Sequence, residues 1–315
     1  MVLYPLKFEP IFRHYIWGGY KLREVLGKQT PENKRTAESW ELADLPGAKS
    51  VITNGPLAGR TLTELLAGHG KGITGKDNFS GPFPLLIKFL DAQDILSVQV
   101  HPDAEACSRL GKGDLKTECW YIIDAEPGAI IYKGLKRATT KEEFAEAIDN
   151  GRVADLLAKV EVRAGQCYFL PAGTVHSMGP GILAAEIQTP SDTTFRVFDW
   201  NRVDETGKAR QLHIKEALES INFGLSGDEF PVTTAGRLVD CEYFKVDKEQ
   251  QGKNSNVNIS EGIMRVLMII AGSGEIRGAE GEVVEFHKGE TILIPAAFEG
   301  FMKFNTDTEY LVVIL

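Results

Sequence analysis

The sequence predicts a mainly β fold made of two barrel-type units with short helical insertions. Three observations carry that expectation. Apolar runs are short and rich in β-branched and aromatic residues, glycine and proline separate them, and one strand-turn pattern occurs twice. The repeated pattern is GQCYFLPAGTVH at 165–176 and GETILIPAAFEG at 289–300. In both, glycine is followed by five residues and a proline, with an apolar strand leading into the proline. Each copy is preceded by a hydrophobic strand that ends in a glycine-containing turn, YIIDAEPG and VLMIIAGSG. Two related β-units are the economical reading.

In chain order, the expected strands of the first unit are PLLIKFLDA, ILSVQVH, CWYIIDA, AIIYKGL, QCYFLPA and LAAEIQT. Those of the second are MRVLMIIAG, GEVVEF, ETILIPA and EYLVVIL. Helices are expected from Thr61 to Gly68, over Thr140 to Lys159 as two short pieces around Asn150-Gly151, and from Ile214 to Ile221. Thr140 with Glu143 three residues on fits a capping box. The first unit is placed at residues 1–225, with an N-terminal arm and the helical insertions. The second is placed at 226–315, with a joining segment near 225–240.

At 315 residues and 43% hydrophobic content, the chain is long enough to bury a sizeable core. A formal charge of −9 argues against nucleic acid and anionic membrane surfaces as partners, but a few cations in one pocket can still attract a small anion. No run reaches the roughly 18 apolar residues of a membrane span. The opening MVLYPLKFEPIFRHYIWGG has no apolar core of a signal peptide. Cys107, Cys119, Cys167 and Cys241 lack C-x-x-C spacing and read as reduced thiols of a cytoplasmic protein.

The residues able to do chemistry gather in the first unit. Gly165, Pro171, Gly173 and His176 make a tight turn, and the histidine on the returning strand points into the barrel mouth. Upstream, Gln99 and His101 in LSVQVHPD are two apart, so on a strand both face one side. Lys116 and Glu118 in KTECWYII have the same spacing. Gln99, His101, Glu118 and His176 are thereby able to converge on one metal ion from three strands. Alternation turns Cys119 and Cys167 away from that face and into packing. His14, His69, His213 and His287 have no such partners and read as structural or surface residues.

The order Gln-x-His-Pro-Asp, Lys-x-Glu, Pro-x-Gly-x-x-His resembles type I mannose-6-phosphate isomerases in their compact form, which belong to the cupin superfamily. Trp17-Gly18-Gly19, AESWEL at 37–42 and SDTTFRVFDWNR at 191–202 extend the resemblance over about the first two-thirds of the chain. It implies two cupin-type (jelly-roll) β-barrels and one Zn2+ per chain, held by Gln99, His101, Glu118 and His176. The place of Gln99 among the ligands rests mostly on the resemblance. Arg196 and Lys116 are implied as catalytic, and Ser97, Lys116, Glu186, Asp192, Arg202 and Trp17 as substrate-binding. Arg196 and Arg202 are expected to follow a strand. In the second unit Phe298 stands where a metal histidine would follow Pro295, and no His-x-His precedes it, so that unit is expected to be metal-free and structural.

Two histidines, one carboxylate and one amide oxygen, with positions left for water or substrate, suit a catalytic zinc centre. Zinc with a single carboxylate keeps net positive charge, which favours an enediolate and hence aldose–ketose isomerisation. The implied reaction interconverts mannose 6-phosphate and fructose 6-phosphate, in a monomer or homodimer. Lys116, Glu186, Asp192 or a zinc-bound water remain open as the group that moves the proton. Two rival classes are a metal-dependent cupin oxygenase and a non-catalytic phosphosugar-binding cupin. Gln99 and the Lys/Arg set disfavour the first, and intact Lys116 and Arg196 disfavour the second.

Overall fold

The computed structural model describes residues 2–203, 207–224 and 231–315. Part of the expected joining segment, and the boundary at 225/226, therefore lie outside the described residues. The first barrel pairs two antiparallel sheets. One has the spatial order Cys167–Leu170, Glu118–Ala125, Ile182–Gln188, Leu86–Ala92, Glu38–Leu42, Ile11–Arg13. The other runs Leu157–Glu161, Ile130–Leu135, His176–Met178, Val98–Val100, Phe195–Phe198. Between them lie Leu90, Ile122, Ile131, Met178 and Ala184.

The second barrel repeats the plan. Its larger sheet is ordered Leu6–Lys7, Thr291–Ile294, Arg265–Ala271, Thr308–Ile314, Lys245–Gln251, Gly236–Asp240. A four-stranded sheet of Asn256–Ile259, Gly300–Phe304, Ser273–Gly278 and Val283–His287 covers it. The Leu6–Lys7 strand, which chain order assigns to the first unit, pairs with Leu293 and Ile292 and so belongs to the second sheet.

The two six-stranded sheets pack back to back. Ile87, Phe89, Tyr121, Leu183 and Ala185 from one share a buried cluster with Val266, Met268, Leu293, Leu311 and Val313 from the other. All seven residues of Ile182–Gln188 and of Leu86–Ala92 are buried. Strands covered on both faces read as continuous apolar runs instead of alternating ones, which explains LLIKFLDA and ILAAEIQ. Cys119 and Cys167 are fully buried in this interface, as alternation predicts.

Helical expectations hold with three adjustments. The full capping box is at Thr61 and Glu64, which opens helix Leu62–Thr74 with hydrogen bonds of 2.8 and 3.2 Å in the two directions. At Thr140 only half a box forms. Its hydroxyl accepts from the Glu143 N–H, but the Glu143 carboxylate is taken by Arg137. The helix Val153–Leu156 stops after one turn, and Leu157–Glu161 continues as a strand along Ile130–Leu135, where hydrogen bonds to a sheet edge outcompete a further turn.

The second unit also corrects the position of Phe298. The residue that opens the returning strand, as His176 does in the first unit, is Gly300. A Cβ on Gly300 would meet the Arg277 carbonyl at 2.1 Å and the Phe298 ring at 2.9 Å. Phe298 therefore fills the space a side chain at 300 would need, and it packs with Ile276, Phe286, Ile294 and Met302.

Trp17-Gly18-Gly19 is seated by close backbone approach. A Cβ on Gly19 would fall 2.7 Å from the Asp91 carboxylate, and the Trp17 carbonyl accepts from the Gln93 and Asp94 N–H groups. Asp91 is fully buried and accepts from the Lys21 N–H at 2.6 Å. Burial pushes its carboxyl up to about 6, against the pull of the Lys21 and Leu22 amides. Among the described residues no helix is long and apolar enough to cross a membrane.

The raised Asp91 value carries a sign. Between its unfolded value near ~4 and about 6 the folded state binds more protons, so this group's contribution falls as pH rises through that window. Asp91→Asn should flatten that part of the stability curve, read as denaturation midpoints across the range. Phe298→Ala should cost about 3–5 kcal/mol by opening a cavity, seen as a lower thermal midpoint with metal content per chain unchanged.

Candidate active site and metal centre

His101 leaves the end of strand Val98–Val100, Glu118 opens Glu118–Ala125, and His176 opens His176–Met178 directly opposite Gln99. Barrel closure brings the three ligand atoms of His101, Glu118 and His176 within 4.8 Å of one another, all buried. His101 Nε2 is 3.4 Å from Glu118 Oε2, and His176 Nε2 is 3.2 Å from Glu118 Oε1. The far ring nitrogens are occupied. His101 Nδ1 contacts the Thr193 carbonyl at 2.8 Å, and His176 Nδ1 contacts the Thr174 carbonyl at 2.9 Å. A carbonyl only accepts, so each Nδ1 carries the proton and each Nε2 presents a lone pair to the carboxylate.

That arrangement is unfavourable unless a cation sits in it. His101 Nε2 and both Glu118 oxygens are buried without a hydrogen-bond partner. Burial, followed by the Lys116 charge, drives the His101 imidazole down to about 3, so it is neutral. Burial favours a protonated Glu118, but the Lys116 ammonium outweighs it and holds the carboxyl well below the usual range. Two neutral imidazoles and a carboxylate, oriented by outer carbonyls, fit a divalent metal. The Gln99 amide Nε2 lies 3.3 Å from His176 Nε2. A half-turn of that amide presents Oε1 instead, the orientation a cation would select.

Beside this cluster a cavity of about 270 Å3 is lined by Trp17, Ser97, Gln99, Lys116, Glu186, Asp192 and Arg196 among the residues singled out by sequence. Lys116 is buried, with Nζ 3.0 Å from Glu118 Oε2. Arg196 lies within strand Phe195–Phe198, not after it. Its Nε donates to Ser97 Oγ at 3.2 Å, and Nη1 donates to the Gln211 carbonyl at 2.9 Å. Glu186 accepts from Trp120 Nε1 at 2.8 Å and pairs with Lys88 at 3.0 Å. Trp17 is buried and stacks on Tyr15, with ring centroids 5.6 Å apart. Asp192 is exposed at the rim.

Arg202 is not brought to this lining; its guanidinium is held by Asp199 and the Ile95 carbonyl. The cavity instead includes Tyr15, Glu38, Lys88, Arg210 and His213, none of which the sequence reading placed there. His213, read as structural or surface, accepts from the Arg196 N–H through Nδ1 at 3.3 Å. A signal for Lys88 existed: a lysine inside a strand buried on both faces must be paired. Glu186 and then Glu38 hold the Lys88 ammonium above its usual value in spite of burial. His14, His69 and His287 lie outside the cavity lining.

A family model described as phosphomannose isomerase type I, catalytic domain, matches residues 5–129. The Bacillus subtilis protein named mannose-6-phosphate isomerase ManA is 40% identical over 306 residues, covering 94% of this chain and 94% of that protein. This chain belongs to the type I mannose-6-phosphate isomerase family. A mannose-6-phosphate isomerase of Streptococcus mutans is 37% identical over 315 residues, covering 97% of this chain and 96% of that one. The crystal structure of the mannose 6-phosphate isomerase from Bacillus subtilis superposes with a TM-score of 0.89 at 30% identity, over 99% of this chain and 100% of that chain. Members of this family are aldose–ketose isomerases, so the chain is an enzyme of that class.

A cation that binds only the folded site stabilises the fold by mass action. Adding a divalent metal to chelator-treated protein should raise the thermal midpoint, and Glu118→Gln should abolish that shift by removing the charged ligand. A midpoint that rises equally in the variant would exclude Glu118 from the metal centre.

Proposed function

We propose that this chain interconverts mannose 6-phosphate and fructose 6-phosphate through an enediolate, with one zinc ion held by Gln99, His101, Glu118 and His176. The observation that carries this reading is the buried His101/Glu118/His176 cluster, in which His101 Nε2 and both Glu118 oxygens have no hydrogen-bond partner, beside a cavity rich in cations. Such a pocket suits a phosphorylated polyol. When bound, the zinc supplies Lewis-acid stabilisation of negative charge on substrate oxygens, worth several kcal/mol.

The remaining work falls to side chains. Ser97 and Arg196, already hydrogen-bonded to one another, present hydroxyl and guanidinium to the phosphate oxygens. The stacked Tyr15 and Trp17 rings wall one side of the cavity against water. Glu186 and Asp192 hold sugar hydroxyls, and the pairing of Glu186 with Lys88 fixes its place in the cavity. Acting as the neutral amine, Lys116 Nζ takes the proton from one carbon and returns it to the other. A positioned acid/base of this kind supplies about 10²–10⁴ in rate.

The test is a coupled assay for fructose 6-phosphate formed from mannose 6-phosphate, run before and after chelation and with zinc restored. Activity lost on chelation and regained with zinc is expected, and Lys116→Met should lower kcat by about 10²–10⁴ with metal content retained. A zinc-loaded protein that binds the sugar phosphate yet exchanges no substrate proton with water would instead be a binding protein. Oxygen uptake with bound iron would mark an oxygenase.

A further inference from the structure

Arg202 and Arg210 share one carboxylate. Asp199 Oδ1 accepts from Arg202 Nη2 at 2.5 Å and from Arg210 Nη2 at 2.5 Å, and Oδ2 accepts from Arg210 Nε at 2.7 Å. The two arginines are not equivalent. Arg202 also donates through Nη1 to the Ile95 carbonyl and through Nε to the Asp199 carbonyl, so every edge of its guanidinium is committed. Arg210 is held as a fork by its Nε–Nη2 edge, and among the described residues Nη1 has no partner. Arg210 lines the cavity, and Arg202 does not.

The backbone between Asp199 and Arg202 is in an unusual conformation. Trp200 and Asn201 both have positive φ, 58° and 54°, and the Arg202 N–H donates to the Asp199 carbonyl at 3.0 Å. This is the geometry of a type I′ turn, which a bulky residue such as tryptophan rarely enters. Its surroundings enforce it. Trp200 Nε1 donates to the Leu96 carbonyl at 2.7 Å, beside the Ile95 carbonyl taken by Arg202. Ile95 and Leu96 directly precede Ser97, whose hydroxyl holds Arg196. The turn is thus bolted to the segment that places Ser97, and strain at such a point is a pointer to function.

Arg196 faces the same cavity with Nη2 free of partners among the described residues. Burial and then the Arg210 charge hold the Arg196 guanidinium below its usual value, as expected for two like charges held close. Asp199 stays ionised. Burial acts to raise it, but Arg210 and Arg202 bring it below the ordinary carboxylate value. Arg196 and Arg210 put two guanidinium charges on the cavity lining, and the Arg202–Asp199 pair behind them adds no net charge, so two positive charges match the two negative charges of a phosphate monoester dianion.

We propose that Arg210 is a phosphate-recognition residue of this cavity, opposite Arg196, and that Asp199 is the positioning residue that aims it, with Arg202 clamping the turn from behind. The inference rests on the phosphosugar reading above and deepens it. It also reassigns Arg202, which the sequence resemblance places at the substrate, to a supporting role.

Inorganic phosphate binding to the metal-loaded enzyme, followed by 31P line broadening, tests this without turnover. KM and kcat for mannose 6-phosphate are measured in parallel. Arg210→Ala should weaken phosphate about tenfold to hundredfold and raise KM to match, with kcat little changed. Asp199→Asn should move both in the same direction, and Asp199→Glu should restore part of the loss. Arg202→Ala should lower the thermal midpoint while phosphate affinity stays nearer the wild type than in Arg210→Ala. Should Arg210→Ala not fold, Arg210→Lys keeps the charge but loses the fork and should show an intermediate loss. Unchanged phosphate affinity in the folded Arg210 variants would overturn the inference. So would an Arg202→Ala loss as large as that of Arg210→Ala at an unchanged midpoint. A wild-type chain that binds phosphate through Arg210 but does not isomerise mannose 6-phosphate would sink the isomerase reading and leave this one standing. A chain that isomerises with Arg210→Ala unaltered would do the reverse.

Discussion

Much of this structure depends on one electrostatic constraint, the burial of a carboxylate between two imidazole lone pairs. Glu118 cannot be solvated where it lies, and a neutral His101 or His176 whose Nδ1 hydrogen goes to the Thr193 or Thr174 carbonyl turns a lone pair, not a proton, toward it. Without a cation the three acceptors repel one another. With one they become a preformed ligand set that costs little reorganisation on binding. Lys116 at 3.0 Å supplies part of the missing positive charge.

Holding acceptors in that position demands a rigid frame, and the second barrel provides it. The strand that begins at Glu118 turns one face to the first barrel's interior and the other to the second barrel. Tyr121 on that second face donates to Glu309, which also accepts from Gln250 and pairs with Lys248. The interior of the second barrel is apolar, with the Phe298 ring occupying the space beside Gly300, the counterpart of His176. Leu6–Lys7 adds to its sheet, and Trp17 lines the cavity a few residues later. The chain start therefore ties the supporting barrel to the site.

The cavity is polarised along its length. Toward the metal cluster, Lys88 and Lys116 are each matched by carboxylates, Glu186 and Glu118. Toward the Asp199 turn, guanidiniums outnumber carboxylates. A chain of net charge −9 thus keeps a local positive end for an anion. In the function proposed above, a sugar phosphate would enter such a field with its phosphate toward the arginines and its reacting carbons toward the His101/Glu118/His176 cluster.

The clustering of His101, Glu118 and His176 was legible because strand periodicity is local. Residues two apart face one side, and a Gly/Pro turn returns the chain, so His101, Glu118 and His176 could be brought together from spacing alone, and Lys116 with them. The duplicated strand-turn pattern likewise marked two β-units, although counting from Pro295 to Phe298 misplaced the counterpart of His176 by two residues. Sequence could not decide which arginine faces the cavity. Arg202 and Arg210 are both arginines near one aspartate, and only the folded chain shows that Arg210 lines the cavity while Arg202 donates to the Ile95 carbonyl. Nor could it show that Lys88, Glu38 and Glu186 meet, since their strands lie side by side only after the sheet has paired. Most strands, the repeat and the convergence of the two histidines on Glu118 were readable from the sequence, because these follow from side-chain alternation and turn chemistry. The tertiary structure alone decided which charges share a cavity, because cross-strand register and the back-to-back packing of two sheets are set by contacts far apart along the chain.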